Sequence, residues 1–301
     1  MSKFLPSDSY RKLPGTGRLI GGHPINSGCQ LCMVNSESIG TVSHDLTLGA
    51  NNGTINNGSW GPGKFGNTVR YNGSSTYIQI ADVAALRLTT FTLSAWVRPT
   101  STEFSNSGFV FHKAASNVGG TDRRNYTLYL SSTGKITFQF TVGNSQYKHV
   151  TGNTSLVAGV WYHVAGTFDG ATSTVYLNAV FDGSAALAFT PDNDGTNPVY
   201  LGRYNSGSDN APSNYFDGSA DLQRIWNRAL YAYEVRQLFE RPFIGIDGIF
   251  GNNMLDLGGL DALAAAAGLI KTRNGLAWAS VKSVDGLAAA SVKTINGLAA
   301  N

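Results

Sequence analysis

The chain has 301 residues, of which 42% are hydrophobic and only 14% charged, with 36 glycines and a formal net charge of +3; this balance excludes extensive disorder, which needs high charge and few aromatics. A charge this small, with no Lys/Arg run interleaved with aromatics, leaves no electrostatic footprint for nucleic acid. No segment approaches the roughly 18–20 apolar residues that cross a bilayer, and the opening "MSKFLPSDSYRKLPG" lacks the apolar run of a signal peptide, so a product made in a cytosol and no membrane partner are expected.

Residues 1–22 read as an N-terminal arm, and the stretch "GCQLCMV" that follows reads as an apolar strand. Cys29 and Cys32 are too few for a disulfide-stapled scaffold or a four-thiolate zinc site, which leaves buried packing thiols, with a redox or metal role as the alternative. From about 51 to 218, short runs rich in Val, Ile, Thr, Tyr and Phe alternate with Gly/Asn/Asp/Ser punctuation, the pattern of a β-sandwich or barrel. In "KITFQFTV", Ile136, Phe138, Phe140 and Val142 alternate with polar residues, predicting one buried and one wetter face. The runs at 91–100, 125–132, 161–170 and 173–180 repeat the pattern, and neighbours should pair antiparallel. Asp169-Gly170 predicts a tight hairpin, because the reversal needs a positive φ.

One helix is predicted in "NRALYAYEVRQLFERP", with Leu230, Val235, Leu238 and Phe239 on one side and Pro242 as its stop. Residues 23–243 thus form the globular domain, and 244–269 a Gly/Ala-rich connector. Residues 270–301 repeat with period eleven, as "IKTRNGLAWAS", "VKSVDGLAAAS" and "VKTINGLAAN". A right-handed helical supercoil has that period, but an Asn/Asp-Gly pair at the same place in each unit favours strand, turn, strand. Such units expose strand edges, so partner chains, as in a homo-oligomer such as a trimer, are expected to satisfy them.

Several of these segments, in this order, resemble the laminin-G-like jelly rolls of the concanavalin A-like lectin/glucanase superfamily: "GKFGNTVRYNGSSTYIQI" its opening strand pair, "FTLSAWVRPT" its Trp96-bearing strand, "WYHVAGTFDGATSTVYLNAV" its central hairpin, and "YFDGSADLQRIWNRALYAYEV" its closing strand and helix. The resemblance implies an all-β, two-sheet antiparallel jelly-roll sandwich with one short C-terminal helix, followed here by a β-repeat tail. The sequence departs from the family at the cysteine pair, where an aromatic is usual, and at Ala220-Asp221-Leu222-Gln223, where Ile-Asp-Glu-Val is usual. The Asn/Asp-Gly-Leu-Ala repeats are similar to tandem tails of phage structural proteins. That similarity implies a virion-surface protein, a capsid decoration or fibre subunit assembled in the host cytoplasm beside other virion proteins.

Glycoside hydrolases need two carboxylates flanking the scissile bond. The glutamates are Glu37, Glu103, Glu234 and Glu240, and no strand carries acids at alternating positions, so no enzymatic activity is expected. Asp192 and Asp194 sit in "TPDNDGTNP", where a solvated turn is expected. The histidines show no metal or nucleophile spacing, and His163 reads as a hydrogen-bonded structural residue. No cofactor is required, although calcium is one to consider: the resemblance pairs Asp45 with Asp221 as ligands, the alternative being that both cap backbone amides. For a glycan, the loop "GRYNSGSDNAPSNYFDG" combines aromatics with polar donors in Arg203, Tyr204, Asn205, Asp209, Asn214 and Tyr215. The leading reading is a virion protein attaching to cell-surface glycan; rivals are a structural cement protein without ligand and a bacterial surface adhesin or carbohydrate-binding module.

Overall fold

A computed structural model of the chain describes residues 17–101, 107–115, 123–143, 146–205 and 212–247, with six two-residue strands between 272 and 299. It divides into two compact units, Met1–Ile249 and Phe250–Asn301.

The first unit opens with β1 (Arg18–Leu19), β2 (Cys29–Met33), β3 (Val42–Ser43), β4 (Gly53–Asn56), β5 (Ser59–Pro62), β6 (Asn67–Asn72), β7 (Tyr77–Ile80), β8 (Phe91–Pro99), β9 (Gly108–Ala114) and β10 (Arg124–Leu130). It continues through β11 (Lys135–Val142), β12 (Gln146–Ser155), β13 (Tyr162–Phe168), β14 (Thr172–Leu177), β15 (Val180–Ala186), β16 (Val199–Leu201), β17 (Tyr204–Asn205), β18 (Pro212–Ser213), β19 (Asp217–Trp226), helix α1 (Ala232–Glu240) and β20 (Ile246–Asp247). Two antiparallel sheets face each other. The first runs β12-β11-β10-β9-β16-β7-β4-β3 and the second β15-β14-β13-β8-β19-β6-β5, with β2 also paired to β19. This is the expected jelly-roll sandwich.

Two expectations, one about pairing and one about burial, are corrected. The opening strands β6 and β7 do not form a hairpin: β6 ladders with β5 and β19, and β7 with β4 and β16, so the chain crosses between sheets there. The wetter face expected for β11 is covered, since Thr137, Gln139 and Thr141 are buried as well as Ile136, Phe138 and Phe140. Gln139 Oε1 accepts from Arg124 Nη1 at 2.6 Å, and the Thr141 hydroxyl donates to Asp192 at 2.7 Å; side chains on the outer face thus roof the strand. Beyond the predicted domain bounds, β1 pairs with β20.

Phe91 centres the core, its ring 5.4–6.1 Å from those of Tyr126, Phe138, Phe140 and Phe168. The β13–β14 reversal forms as expected: Gly170 has φ +99°, and Asp169 Oδ1 accepts from the Ala171 and Thr172 amides. Helix α1 buries Val235 and Leu238 against Ala165 and Trp226 on the outer face of the second sheet. Lys113 is 1% exposed at its side chain, and its ammonium donates to Asp82 at 2.7 Å and to the Asn197 carbonyl at 2.6 Å. Arg87 completes the triad on Asp82.

In the second unit each repeat forms a two-residue hairpin: Thr272–Arg273 with Leu276–Ala277, Ser283–Val284 with Leu287–Ala288, and Thr294–Ile295 with Leu298–Ala299.

Candidate functional site

The predicted glycan loop folds across the outer face of the first sheet. Its start is fixed by Gly202, whose φ is +93° and whose missing Cβ would lie 2.2 Å from the Tyr71 ring, so only glycine lets the chain turn here. Arg203 then enters a slot between Tyr77 of β7 and Tyr200 of β16, its guanidinium carbon 4.0 Å from each ring centroid. Such cation–π contacts contribute about 0.5–2 kcal/mol each. Arg203 is only 5% exposed, its Nε is buried without an acceptor, and its charge faces no carboxylate partner among the described residues. Among the described residues this guanidinium meets rings, and its buried Nε keeps unspent hydrogen-bonding capacity, which is costly unless something else accepts it.

Next along the loop, the Tyr204 ring packs 4.9 Å from His112 and 5.2 Å from Phe109, while His112 Nε2 donates to the carbonyl of the buried Asn205 at 2.7 Å. The returning segment pairs β18 with β17, and the Phe109 amide donates to the Asn214 carbonyl at 3.3 Å. Tyr215, half-buried, places its ring 6.4 Å from Tyr77. The structure therefore gathers Arg203, Tyr204, Asn205, Asn214 and Tyr215 on one face; Asp209 lies outside the described residues.

Sequence reasoning missed the sheet residues that meet this loop. Arg124 of β10 sits 4.7 Å from the Tyr204 ring, 5.0 Å from Tyr147 and 5.7 Å from Phe109. The strip runs from Tyr147 on β12, which is 44% exposed, to Tyr77 on β7, across six strands and hence about 24 Å. A signal was available: Tyr77, Tyr147 and Tyr200 each occupy the polar phase of an alternating strand, where an aromatic is not needed for the core. Grooves of about 640 and 760 Å³ lie elsewhere on the molecule.

The other predicted residues have local tasks. Asp45 accepts from the Cys32, Thr47 and Asn51 amides at 2.9–3.1 Å and from the Thr47 hydroxyl at 2.6 Å, so both oxygens bind its own turn. Asp221 Oδ2 accepts from the Lys64 and Phe65 amides. Each aspartate thus caps backbone, and among the described residues no three His, Cys, Asp or Glu side chains cluster as metal ligands. Asp192 is corrected from a solvated turn residue to a buried brace: it pairs with Arg123 at 2.6 Å and accepts from the Gly143 amide and Thr141 hydroxyl. Burial alone would raise its carboxyl, but Arg123 and these donors together hold it below the usual range. Asp194, exposed, joins Arg123 at 3.0 Å.

His163 is buried, with Nε2 2.9 Å from the Ser94 hydroxyl; burial, with Arg224 nearby, pulls its pKa down to about 3. A neutral imidazole sealed in this way is structural. Burial likewise pushes the Cys32 thiol up to about 11 and Cys29 well above its ordinary value, so neither is a poised nucleophile. Glu37 binds His44, Glu234 binds Arg228 and Glu240 binds Arg236, while Glu103 lies outside the described residues.

The family model described as the concanavalin A-like lectin/glucanases superfamily matches residues 72–236, more than half of the chain. The chain belongs to this superfamily. As a superfamily member it is similar in structure to the binding domain of Paraclostridial Mosquitocidal Protein 1, with TM-score 0.57, 17% identity, and coverage of 73% of this chain and 53% of that one. Domain 4 of AbnA, an extracellular arabinanase from Geobacillus stearothermophilus solved in complex with arabinotriose, gives TM-score 0.53 and 19% identity over 74% of this chain and 99% of that one. The receptor binding domain of botulinum neurotoxin D gives 0.55 and 14% over 73% and 54%. The chain spans about half the length of the two toxin domains. Comparison with curated protein sequences gives no match.

Proposed function

We propose that the chain is a non-enzymatic attachment protein of a virion surface, whose sandwich binds glycan along the outer face of its first sheet and whose repeat tail assembles or anchors it. One observation carries the glycan reading: the Arg203 guanidinium, buried between Tyr77 and Tyr200 and without a carboxylate partner among the described residues, at the end of the Tyr204–Arg124–Tyr147 strip. A fork of N–H donors beside aromatic rings suits a sugar carrying a carboxylate or acyl oxygen, the rings covering its apolar faces. The arabinotriose complex of a similarly folded domain supports a saccharide as the ligand class. For the virion role the support is the tail, with three short hairpins whose sequence repeats are similar to those of phage structural proteins.

The test is a glycan array with acidic and neutral members, repeated with Arg203→Lys, which keeps the charge and removes the fork. Acidic glycans should bind the parent chain and lose roughly tenfold or more in affinity in the variant. Silence across the array, or binding indifferent to Arg203→Lys, refutes the site. Light scattering of the full chain tests the tail: an oligomer is expected, and a monomer would remove self-assembly.

A further inference from the structure

We infer a second saccharide site on the opposite face of the sandwich, a groove that takes a neutral, polyhydroxylated ligand. The groove, about 640 Å³, lies on the outer face of the second sheet where the segment entering α1 crosses it, and this volume is within the range of small-molecule clefts. Its floor includes Thr167 and Thr174, the middle of a row of hydroxyl residues in which Thr92 on β8 pairs with Thr167 on β13, which pairs with Thr174 on β14, which pairs with Ser184 on β15.

The row divides sharply in what its members do. Thr92 is spent on the chain, donating to the Arg228 carbonyl at 2.8 Å and accepting from the Leu230 amide at 2.8 Å. Thr167, Thr172 and Thr174 line the groove, and their hydroxyls have no hydrogen-bond partner among the described residues. Thr167 is only 5% exposed, so its unspent hydroxyl faces little besides the groove. These hydroxyls are open to the groove, and a ligand that brings its own hydroxyls takes the place of the water they meet.

The rim provides a platform. Tyr231 lines the groove and stacks on Tyr233, with centroids 5.8 Å apart and planes 11° from parallel, yet the two are 67% and 61% exposed. A stacked tyrosine pair left in solvent beside a hydroxyl-lined floor presents both surfaces a sugar ring uses, the apolar face and the polar edge. Charge sets the class. The Arg228 guanidinium is neutralised by a two-pronged pair with Glu234, at 2.7 and 2.8 Å, and also donates to the Ser27 carbonyl. Asp169 binds the Ala171 and Thr172 amides through Oδ1 and faces no cation among the described residues. Among those residues the groove therefore holds no unpaired positive charge and one carboxylate, which disfavours acidic sugars, the reverse of the Arg203 face.

The experiment titrates the full chain by calorimetry with neutral trisaccharides of gluco, galacto, manno, xylo and arabino configuration, with sialyllactose as the acidic control. At least one neutral trisaccharide should bind the parent and Arg203→Lys chains equally, weaken roughly tenfold or more in Tyr231→Ala and Thr174→Val, and be undisturbed by sialyllactose. Tyr231 is exposed, so its variant remains informative if Thr174→Val misfolds. The inference is overturned if no neutral trisaccharide binds, if binding ignores Tyr231→Ala, or if the loss follows Arg203→Lys, which would place all binding on the other face.

Discussion

Replacing Asp82 by Ala removes the carboxylate that the buried Lys113 ammonium contacts at 2.7 Å and leaves it the Asn197 carbonyl alone. Breaking a buried pair in this way costs about 3–5 kcal/mol, most of it the price of an uncompensated charge. For a domain of this size that lowers the melting temperature by roughly 6–20 °C. Lys113→Met should cost far less, on the order of 1 kcal/mol, because Asp82 keeps Arg87 and is less deeply buried. Alkali sharpens the test. Burial already pulls the Lys113 pKa down, with Asp82 opposing, and without Asp82 it falls further. The folded variant then binds fewer protons than its unfolded chain, so its stability rises with pH and the deficit against the parent should shrink between pH 7 and 10. Denaturant unfolding of both variants across that range measures all three quantities. A deficit below about 1 kcal/mol at pH 7, or one as large in Lys113→Met, would refute the stranded-charge argument.

Phe91→Ala should lose about 3–5 kcal/mol in denaturant unfolding, since its ring touches four others in a dry core. Ala179→Gly should gain about 1 kcal/mol by the same assay, because Ala179 closes the β14–β15 turn at φ +63°. His163 is neutral when folded; between pH 6.5 and 3 the unfolded chain takes up a proton that the folded chain refuses. Stability should fall by about 1 kcal/mol per pH unit on acidification through that window, and His163→Asn should flatten the slope. Chelation should leave the melting curve unchanged, because the Asp45 carboxylate already accepts four donors from protein.

What was legible in the sequence was what local chemistry decides. Asp169-Gly170 announces its reversal because the turn itself needs those residues, the three tail repeats announce their short antiparallel strand pairs, and Val235 with Leu238 announces the helix face. The crossing between β6 and β7 left no such mark, since strands of either sheet alternate alike. The site was half legible for the same reason. Its loop showed in composition, but the rings that grip Arg203 and Tyr204 come from Tyr77, Tyr200, Phe109 and His112, gathered by sheet order. Asp192 looked solvated because nothing near it in sequence reveals that Arg123 and Thr141 reach it from other strands.

The placement of β19 has a consequence for how the chain comes into being. This strand arrives late in sequence yet lies between β8 and β6 and ladders with β2, so that Trp226 pairs with Cys29. At translation rates of 5–20 residues per second, β2 waits roughly 10–40 s for its partner while apolar strands accumulate beside it. Fold acquisition is therefore slow and dominated by distant contacts, and nascent chains cut short before Asp217 would present those unpaired strands to one another or to chaperones.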